Sequence, residues 1–224
     1  MEAERVSLSR LDGSWRSVVA RFGDPVVAEA QGLHRSTYEQ LGFIAEPQIL
    51  NEEGLLLDEW SASSWHVGLS FEDRVVAHLR LIEPTFGPLQ SQGWWPSLDI
   101  PDNSWEVSAL VVDRSFGRPF DIARRLYREA FHFAATTSCP GWVCAVELGL
   151  ARILGRWFPM HQIGEARDLY GSPNVALYVS FDDVFAGLRE GTVDQSFWPP
   201  IDANGNCVWT LDERSAPILT GATS

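Results

Sequence analysis

The spacing of apolar residues along the chain predicts an alternation of helices and strands. After Asp24-Pro25, where Asp can cap a helix and Pro is tolerated at its first position, apolar residues recur at helical spacing and predict a helix over residues 25–41. The same spacing predicts helices at Phe120–Thr137, at Leu148–Phe158, and from a cap at Asp182-Asp183 to Leu188. Runs rich in β-branched and aromatic residues predict strands at Ser64–Ser70, Arg74–Ile82, Trp105–Val112, Trp142–Val146, Ile163–Ala166 and Val175–Phe181.

Polar and proline-rich segments separate these elements. Residues 44–62 are acidic and irregular and predict a loop that contains Asp58. Residues 84–103 hold several prolines and Trp94-Trp95, and they predict a loop of about 20 residues, a length typical of a functional lid or wall. The element order predicts one α/β domain over residues 1–224 with a mixed sheet, a core at about residues 20–190 and an irregular extension over residues 191–224.

The charge balance excludes several classes of function. The chain has 224 residues, 17 positive and 30 acidic side chains and a net charge of −13, and every positive side chain is arginine. A field of this sign repels a polyanion, so a nucleic-acid binder is not expected. Without lysine, a Schiff base and a Walker-type phosphate lysine are excluded. Any positive charge that the function needs must come from arginine.

The cysteines and histidines lack the spacing of a disulfide framework or a metal site. Three cysteines occur, an odd number with no CxxC pair, and we interpret Cys144 as a core residue on an apolar strand rather than a nucleophile. The histidines are scattered along the sequence and are interpreted as non-catalytic, without a metal: His66, His78, His132 and His161.

No apolar run of signal-peptide length begins the sequence, and no stretch approaches the ~18 apolar residues of a membrane span. We therefore expect a cytoplasmic protein without a membrane span. The lysine-free composition, with frequent Arg, Ala and Gly, is typical of GC-rich bacterial genomes.

The arginines are concentrated in one strand-to-helix turn and the helix after it. Arg114, Gly117 and Arg118 lie in the turn, and Arg124, Arg125 and Arg128 follow along the predicted helix, so that five of the 17 arginines fall within this short segment. Backbone N–H groups at a helix N-terminus bind phosphate groups, which favours an anion site at the turn. The alternative is an ordinary solvated helix face.

The order of several segments resembles the GNAT acyltransferase superfamily. The segments are LHRSTYEQLGF (33–43), Asp58, RVVAHLRLIEP (74–84) and WEVSALVV (105–112). Their sequence resembles the autoinducer-synthase branch, which includes acyl-homoserine-lactone synthases and long-chain N-acyl amino acid synthases. The positions that match its pattern are Arg35, Tyr38, Asp58, Arg80 and Glu106.

Two departures favour the acyl amino acid synthase side of this branch. Ala109 stands where lactone synthases usually carry a second arginine, and Gly42-Phe43-Ile44 replaces a usual tryptophan. The turn also has the single glycine Gly117, where the common GNAT signature has two small residues. An acyl-homoserine-lactone synthase remains an alternative, as does a catalytically inactive domain that binds an acyl ligand or a partner protein.

The resemblance implies a mixed, mostly antiparallel sheet flanked by helices and splayed at the acyl-carrier site. It implies an enzyme, an N-acyltransferase that moves a medium or long acyl chain to an amine on an amino acid, small molecule or peptide. The donor would be the phosphopantetheine thioester of acyl carrier protein, or acyl-CoA, with no metal. Carrier phosphate would bind at Arg114, Gly117 and Arg118, and acidic carrier protein at Arg124, Arg125 and Arg128.

The resemblance also implies roles for the polar residues. Glu106 would be the base and Ser108, on the same strand face, would orient a water or the carbonyl. Arg35, Tyr38, Asp58 and Arg80 would shape the acceptor side. The alternative for Arg80 is a structural ion pair with a core carboxylate such as Asp58 or Glu106, and both roles can hold together. An acyl tunnel, with ordinary core packing as the alternative, would be lined by Phe86, Trp94, Trp95, Trp142, Val146 and Leu150.

Overall fold

The computed structural model describes residues 5–12, 15–42, 58–85, 87–116 and 119–193, with residues 5–12 described by their backbone. The elements of these residues, in chain order, are β1 (Arg5–Asp12), β2 (Trp15–Arg21), α1 (Pro25–Leu41), β3 (Ser64–Phe71), β4 (Arg74–Ile82), α2 (Gln90–Trp94), β5 (Trp105–Val112), α3 (Pro119–Ala135), β6 (Gly141–Glu147), α4 (Leu148–Leu154), β7 (Met160–Gln162), β8 (Arg167–Leu169), β9 (Ser172–Ser180) and α5 (Phe181–Glu190).

The described residues fall into two compact units. The first unit comprises the chain up to Leu81 together with Ala109–Phe133, and the second comprises Ile82–Ser108 together with the chain from Ala134 onward. Strand β5 contributes residues to both. None of the helices in the described ranges has the length and apolar character that a membrane crossing requires.

In the first unit the strands follow the order β1-β2-β3-β4-β5. The ladders between β1 and β2 and between β2 and β3 are antiparallel. The turn between β3 and β4 consists of Glu72 and Asp73, and both residues have a positive φ. A two-residue turn of this kind has a twist that matches the twist of the two strands it joins. The strands bury runs of β-branched residues, such as Val67 and Val76, which are fully buried.

Helix α1 has the bounds that its sequence predicts. The Asp24 side chain accepts a hydrogen bond from the Val26 N–H at 2.9 Å, which caps the first turn. Gly42 ends the helix with a left-handed φ of 74°, a conformation that costs glycine little. Gln31 and His34 belong to its buried face, so this face carries polar as well as apolar groups into the unit.

In the second unit the order is β5-β6-β9-β7, and β8 also pairs with β9. The β5–β6 ladder is parallel, whereas the ladders of β9 with β6, β7 and β8 are antiparallel. The predicted mixed α/β fold with a mostly antiparallel sheet flanked by helices is confirmed.

The ladder between β5 and β6 is short. Its register contains only Trp105 opposite Trp142 and Glu106 opposite Val143. Val107 and Ser108 therefore lie beyond its end, as expected for a sheet that splays at this point. Ala109, the next residue of β5, has a left-handed φ of 53°, which interrupts the extended backbone.

Several element predictions are wrong in detail. The predicted loop at 84–103 contains the short helix α2, and the predicted strand at Ile163–Ala166 is a connection between β7 and β8. The cap of α5 is Ser180, whose hydroxyl accepts from the Asp183 N–H, rather than Asp182-Asp183. Helix α4 ends at Leu154 and not at the predicted Phe158. Strands β1 and β2 lie where the apolar spacing supplied no prediction, and residues 194–224 of the predicted extension lie outside the described residues.

Candidate active site

Glu106 lies on β5 in the second unit, with 1% of its surface exposed. Its Oε2 atom accepts two hydrogen bonds from Ser91, one from the backbone N–H at 2.9 Å and one from the hydroxyl at 3.1 Å. Ser91 is itself fully buried. A buried carboxylate needs such donors, because burial without partners is costly. The pair therefore fixes a carboxylate inside this unit.

Ser108 lies two residues further along β5, on the same face of the strand. Its hydroxyl donates a hydrogen bond to the Gln90 side-chain oxygen at 3.1 Å. Gln90 and Ser91 are the first two residues of α2. One turn of this helix thus contacts both candidate catalytic residues.

Helix α2 is held at both ends. At its start, the Leu89 N–H donates to the Gln92 side-chain oxygen at 2.8 Å. At its end, the Trp95 indole N–H donates to the Glu165 carbonyl at 2.8 Å, and Arg167 donates to the Trp94 carbonyl. The two contacts at its end anchor α2 to the connection between β7 and β8 and to β8 itself.

Cys144 lies on β6 and is buried. Burial, followed by the nearby negative charge of Glu106, raises the pKa of its thiol to about 12. A thiol with this pKa remains protonated near neutral pH, and the thiolate is the nucleophilic form. This environment fits the interpretation of Cys144 as a core residue.

Asp58 and Arg80, both in the first unit, form an ion pair with Arg80 Nη1 at 2.6 Å from Asp58 Oδ2. The other carboxylate oxygen accepts from the Trp60 N–H at 3.1 Å and from the Ser61 hydroxyl at 3.0 Å. Asp58 is one of the two partners proposed for Arg80, and this ion pair places its carboxylate beside the guanidinium.

Arg35 and Tyr38 lie on α1 in the same unit. Arg35 Nε donates to Glu39 Oε1 at 2.8 Å, one turn further along the helix. The Tyr38 ring packs edge-on against the His34 ring, with 4.0 Å between the ring centroids. His34, which the sequence interpretation left without a role, therefore lies beside one of the predicted acceptor residues.

His66 and His78, which are separated in the sequence, lie together in the structure. Strands β3 and β4 are joined by a tight turn, so these residues meet, with His66 Nδ1 2.9 Å from His78 Nε2. The His34 ring lies 6.0 Å from the His78 ring. Burial, reinforced by Arg80, lowers the pKa of His34 and of His66 to about 3, and burial lowers the pKa of His78 as well. These imidazoles are neutral at physiological pH.

No group of histidine, cysteine, aspartate or glutamate side chains in the described ranges has the arrangement of a metal site.

The turn after β5 is fixed by a carboxylate. Asp113 Oδ1 accepts from the Ser115 N–H at 2.9 Å and its hydroxyl at 2.7 Å, while Arg74 donates to Oδ2. These hydrogen bonds from Ser115 hold the pKa of Asp113 below its usual value. Arg114 is exposed in this turn. The other two predicted phosphate-binding residues, Gly117 and Arg118, lie outside the described residues.

The arginines of α3 are half-buried rather than fully solvated. The Arg125 guanidinium lies 5.0 Å from the Trp15 ring centroid, a cation–π distance. Arg128 lowers, by its charge, the pKa of the buried Glu129, although burial dominates and raises that pKa overall. Glu129 accepts from the Ser17 hydroxyl at 3.1 Å. Part of the basic cluster thus stabilises the first unit, and Arg114 is the exposed member among its described arginines.

The predicted tunnel residues of the second unit are mostly packed. Trp95, Trp142 and Val146 are buried, and Trp94 and Leu150 are half-buried. The Trp142 ring contacts Phe158 and Phe181, with centroid distances of 6.0 and 5.3 Å. Phe86 lies outside the described residues. The lining of an acyl chain by these residues stays a prediction.

Neither a protein-family model nor a curated protein sequence matches the chain. Solved structures do. The acyl-homoserine-lactone synthase LasI matches with a TM-score of 0.63 and 16% identity, over 75% of this chain and 91% of LasI. FeeM, an N-acyl amino acid synthase from uncultured soil microbes, matches with a TM-score of 0.57 and 18% identity, over 77% of this chain and 94% of FeeM. BjaI, a CoA-dependent acyl-homoserine-lactone synthase, matches with a TM-score of 0.58 and 16% identity, over 71% of this chain and 77% of BjaI.

The chain has the fold of these acyl-transferring synthases. The resemblance that the sequence segments indicate is confirmed for the fold, and the structural neighbours are acyltransferases, as that resemblance implies. Because the identities are below 20%, this likeness shows the fold of the chain and does not show which reaction it catalyses.

Two residues of the candidate site were missed by sequence reasoning. Gln90 and Ser91 lie in a segment that was predicted to be a loop, and Ser91 is 15 residues from Glu106. No spacing rule joins a serine in a proline-rich segment to a glutamate on a later strand. Only the fold of α2 against β5 brings them together.

Proposed function

We propose that the protein is an N-acyltransferase that moves a medium or long acyl chain from a thioester to an amine. The observation that carries this proposal is the buried Glu106 on β5, at the end of the short ladder with β6, in a fold shared with acyl-transferring synthases. The proposed acceptor is an amino acid, a small amine or a peptide side chain.

In the proposed reaction the amine nitrogen attacks the thioester carbonyl carbon. The C–N bond forms, the C–S bond breaks, and the sulfur leaves as a thiolate, which becomes a thiol when it takes up the proton that Glu106 has received from the amine. Glu106 takes the proton that the amine loses, directly or through a water, as a general base. Ser108 contributes a hydroxyl on the same face of β5.

The proposed donor is the phosphopantetheine thioester of acyl carrier protein, with acyl-CoA as the alternative. The exposed Arg114 and the arginines of α3 support a carrier, because a chain with a net charge of −13 needs a local basic patch to associate with an acidic partner. BjaI supports the CoA alternative, since it is CoA-dependent by name and its structure contains isopentyl-CoA. The proposed setting is the bacterial cytoplasm.

A panel of acyl carrier proteins and acyl-CoAs, each mixed with a panel of amines and analysed by mass spectrometry, tests the proposal. We expect an amide product and loss of the thioester in at least one combination. The absence of both product and carrier binding across the panel would overturn the proposal. If the wild type binds a carrier but forms no product, and Glu106→Gln binds the carrier equally well, the protein is instead an inactive acyl- or partner-binding domain.

A second candidate is an acyl-homoserine-lactone synthase, which the structural likeness to LasI and BjaI favours. The residue at 109 is alanine, where the resembled synthases usually carry arginine, and this favours the acyl amino acid product. Incubation with S-adenosylmethionine and acyl donors decides between the two. Release of methylthioadenosine with a lactone product would support the second candidate, and an amide product without methylthioadenosine would support the first.

A further inference from the structure

We propose that Ser91 and Gln90 are positioning residues for the reaction, Ser91 for the Glu106 carboxylate and Gln90 for the Ser108 hydroxyl. This inference rests on the proposed acyl transfer, and neither residue has a place in the sequence resemblance. It comes from the way in which two consecutive residues of α2 contact two alternate residues of one strand face.

Ser91 controls the orientation of the carboxylate. Both of its donors, the backbone N–H and the hydroxyl, bind the same atom, Glu106 Oε2. Two donors on one oxygen fix the rotation of the carboxylate plane, and hydrogen bonds to the charged form favour ionisation. Ser91 therefore orients the Glu106 carboxylate and favours its ionised form over the protonated one, although Ser91 does not touch the reacting atoms itself.

Gln90 controls the direction of the Ser108 proton. The amide oxygen of Gln90 accepts the Ser108 hydroxyl hydrogen at 3.1 Å. A hydroxyl has one proton and two acceptor lone pairs, so this hydrogen bond directs the proton toward α2. Ser108 then acts as an acceptor, for the hydrogen of a water or of the attacking amine, rather than as a donor to the thioester carbonyl.

The other end of α2 makes this arrangement rigid. Trp95 is anchored to Glu165 by its indole N–H. Gly164 gives the indole its space, because a Cβ at this position would lie 3.0 Å from the Trp95 ring and 2.8 Å from the Ala176 Cβ. The segment predicted to be a lid or wall is therefore, in its middle, a fixed support for β5.

The test compares Ser91→Ala with Ser91→Thr and with the control Ser97→Ala, an exposed serine of the same segment. Ser91→Ala removes the hydroxyl donor and keeps the backbone N–H. We expect kcat to fall about 10-fold, the equivalent of one hydrogen bond of about 1.4 kcal/mol, and the acid limb of the pH–rate profile to move to higher pH. Ser91→Thr should restore both, and Ser97→Ala should leave both unchanged.

A second measurement does not depend on activity. Carbon-13 NMR of the glutamate carboxyl carbons follows Glu106, whose signal is the one that Glu106→Gln removes. We expect its titration midpoint to be higher in Ser91→Ala than in the wild type, because a donor to the ionised form has been lost.

An unmoved midpoint in the folded Ser91→Ala variant would overturn the inference, whatever the activity. If the wild type transfers no acyl group, the proposed function fails, while the midpoint still decides whether Ser91 controls the carboxylate. Gln90→Ala completes the set: we expect kcat to fall with KM unchanged, and an unchanged kcat would overturn its role.

Discussion

The ion pair of Asp58 and Arg80 is partly buried, with 10% of the Arg80 side chain and 27% of the Asp58 side chain exposed. Asp58→Asn removes the negative charge that this pair places beside a largely buried guanidinium. We expect the free energy of unfolding to fall by about 1–3 kcal/mol, as measured by urea denaturation.

The pair of Arg16 and Asp73 supplies the matched control. It has a comparable separation of 2.5 Å, but its side chains are 50% and 74% exposed. Asp73→Asn should cost less than about 0.5 kcal/mol, because solvent screens exposed pairs and asparagine tolerates the left-handed φ at this position. Equal costs for the two variants would contradict a structural role for Asp58.

The contacts of some residues can be predicted from the sequence around them, and the contacts of others cannot. The pairing of Arg80 with Asp58 follows from the need of an arginine in an apolar strand for a carboxylate. The contact between His66 and His78 follows from a tight turn between two strands, and the turn residues Glu72-Asp73 already indicate it. Ser91 offers no comparable signal, because its partner is set by the fold of a whole segment.

Glycine at the start of β6 is required by close packing. A Cβ on Gly141 would lie 2.4 Å from the Val179 carbonyl oxygen and 2.5 Å from the Tyr178 hydroxyl. We expect Gly141→Ala to lower the free energy of unfolding by about 1–3 kcal/mol, since backbone atoms cannot give way cheaply.

Gly32, in the interior of α1, is the opposite case. A Cβ there meets no atom within 4 Å, so Gly32→Ala should raise stability by about 0.5–1 kcal/mol. Thermal unfolding of both variants checks the pair of predictions, and destabilisation by Gly32→Ala would contradict the environment described for α1.

Among the elements, those with a regular apolar pattern and a stop signal were predicted best. Helix α1 has Asp24 and Gly42 at its ends, and β4 and β5 consist mostly of apolar residues. The short elements α2, β7 and β8 were missed or misplaced, because three to five residues carry too little periodicity. They are held by tertiary contacts such as the Trp95–Glu165 hydrogen bond.

The buried histidines of the first unit make the stability of the molecule depend on pH. The folded-state pKa values of His34, His66 and His132 are about 3, and that of His78 is also lowered by burial, against about 6.5 in an unfolded chain. Between these values the unfolded chain binds more protons. The free energy of unfolding therefore falls as the pH decreases below about 6.5, by up to about 1.4 kcal/mol per pH unit for each histidine.

Urea denaturation at about pH 7 and at about pH 5 measures this slope. Glu129, whose pKa burial raises, acts in the opposite sense. His78→Asn removes one of these imidazoles and should flatten the slope. A stability that does not change over this range would contradict the burial of these imidazoles.

The charge distribution of the whole chain predicts how it recognises a carrier. The double variant Arg114→Glu, Arg124→Glu should raise KM for an acyl carrier protein at least ~10-fold, because it reverses two of the five positive charges of the basic cluster in an acidic protein. The control Arg156→Glu, Arg189→Glu makes the same change in net charge at exposed positions and should change KM less than ~2-fold. Equal effects would show that the cluster is an ordinary helix face.

The most direct measurement is a single-turnover assay with a carbon-13-labelled acyl thioester and the accepted amine, comparing wild type, Glu106→Gln and Glu147→Gln. Glu147 is an exposed carboxylate at the end of β6 and serves as the control. We expect a labelled amide from the wild type and from Glu147→Gln, and formation at least ~100-fold slower in Glu106→Gln. A labelled amide formed at the wild-type rate by folded Glu106→Gln would contradict this expectation.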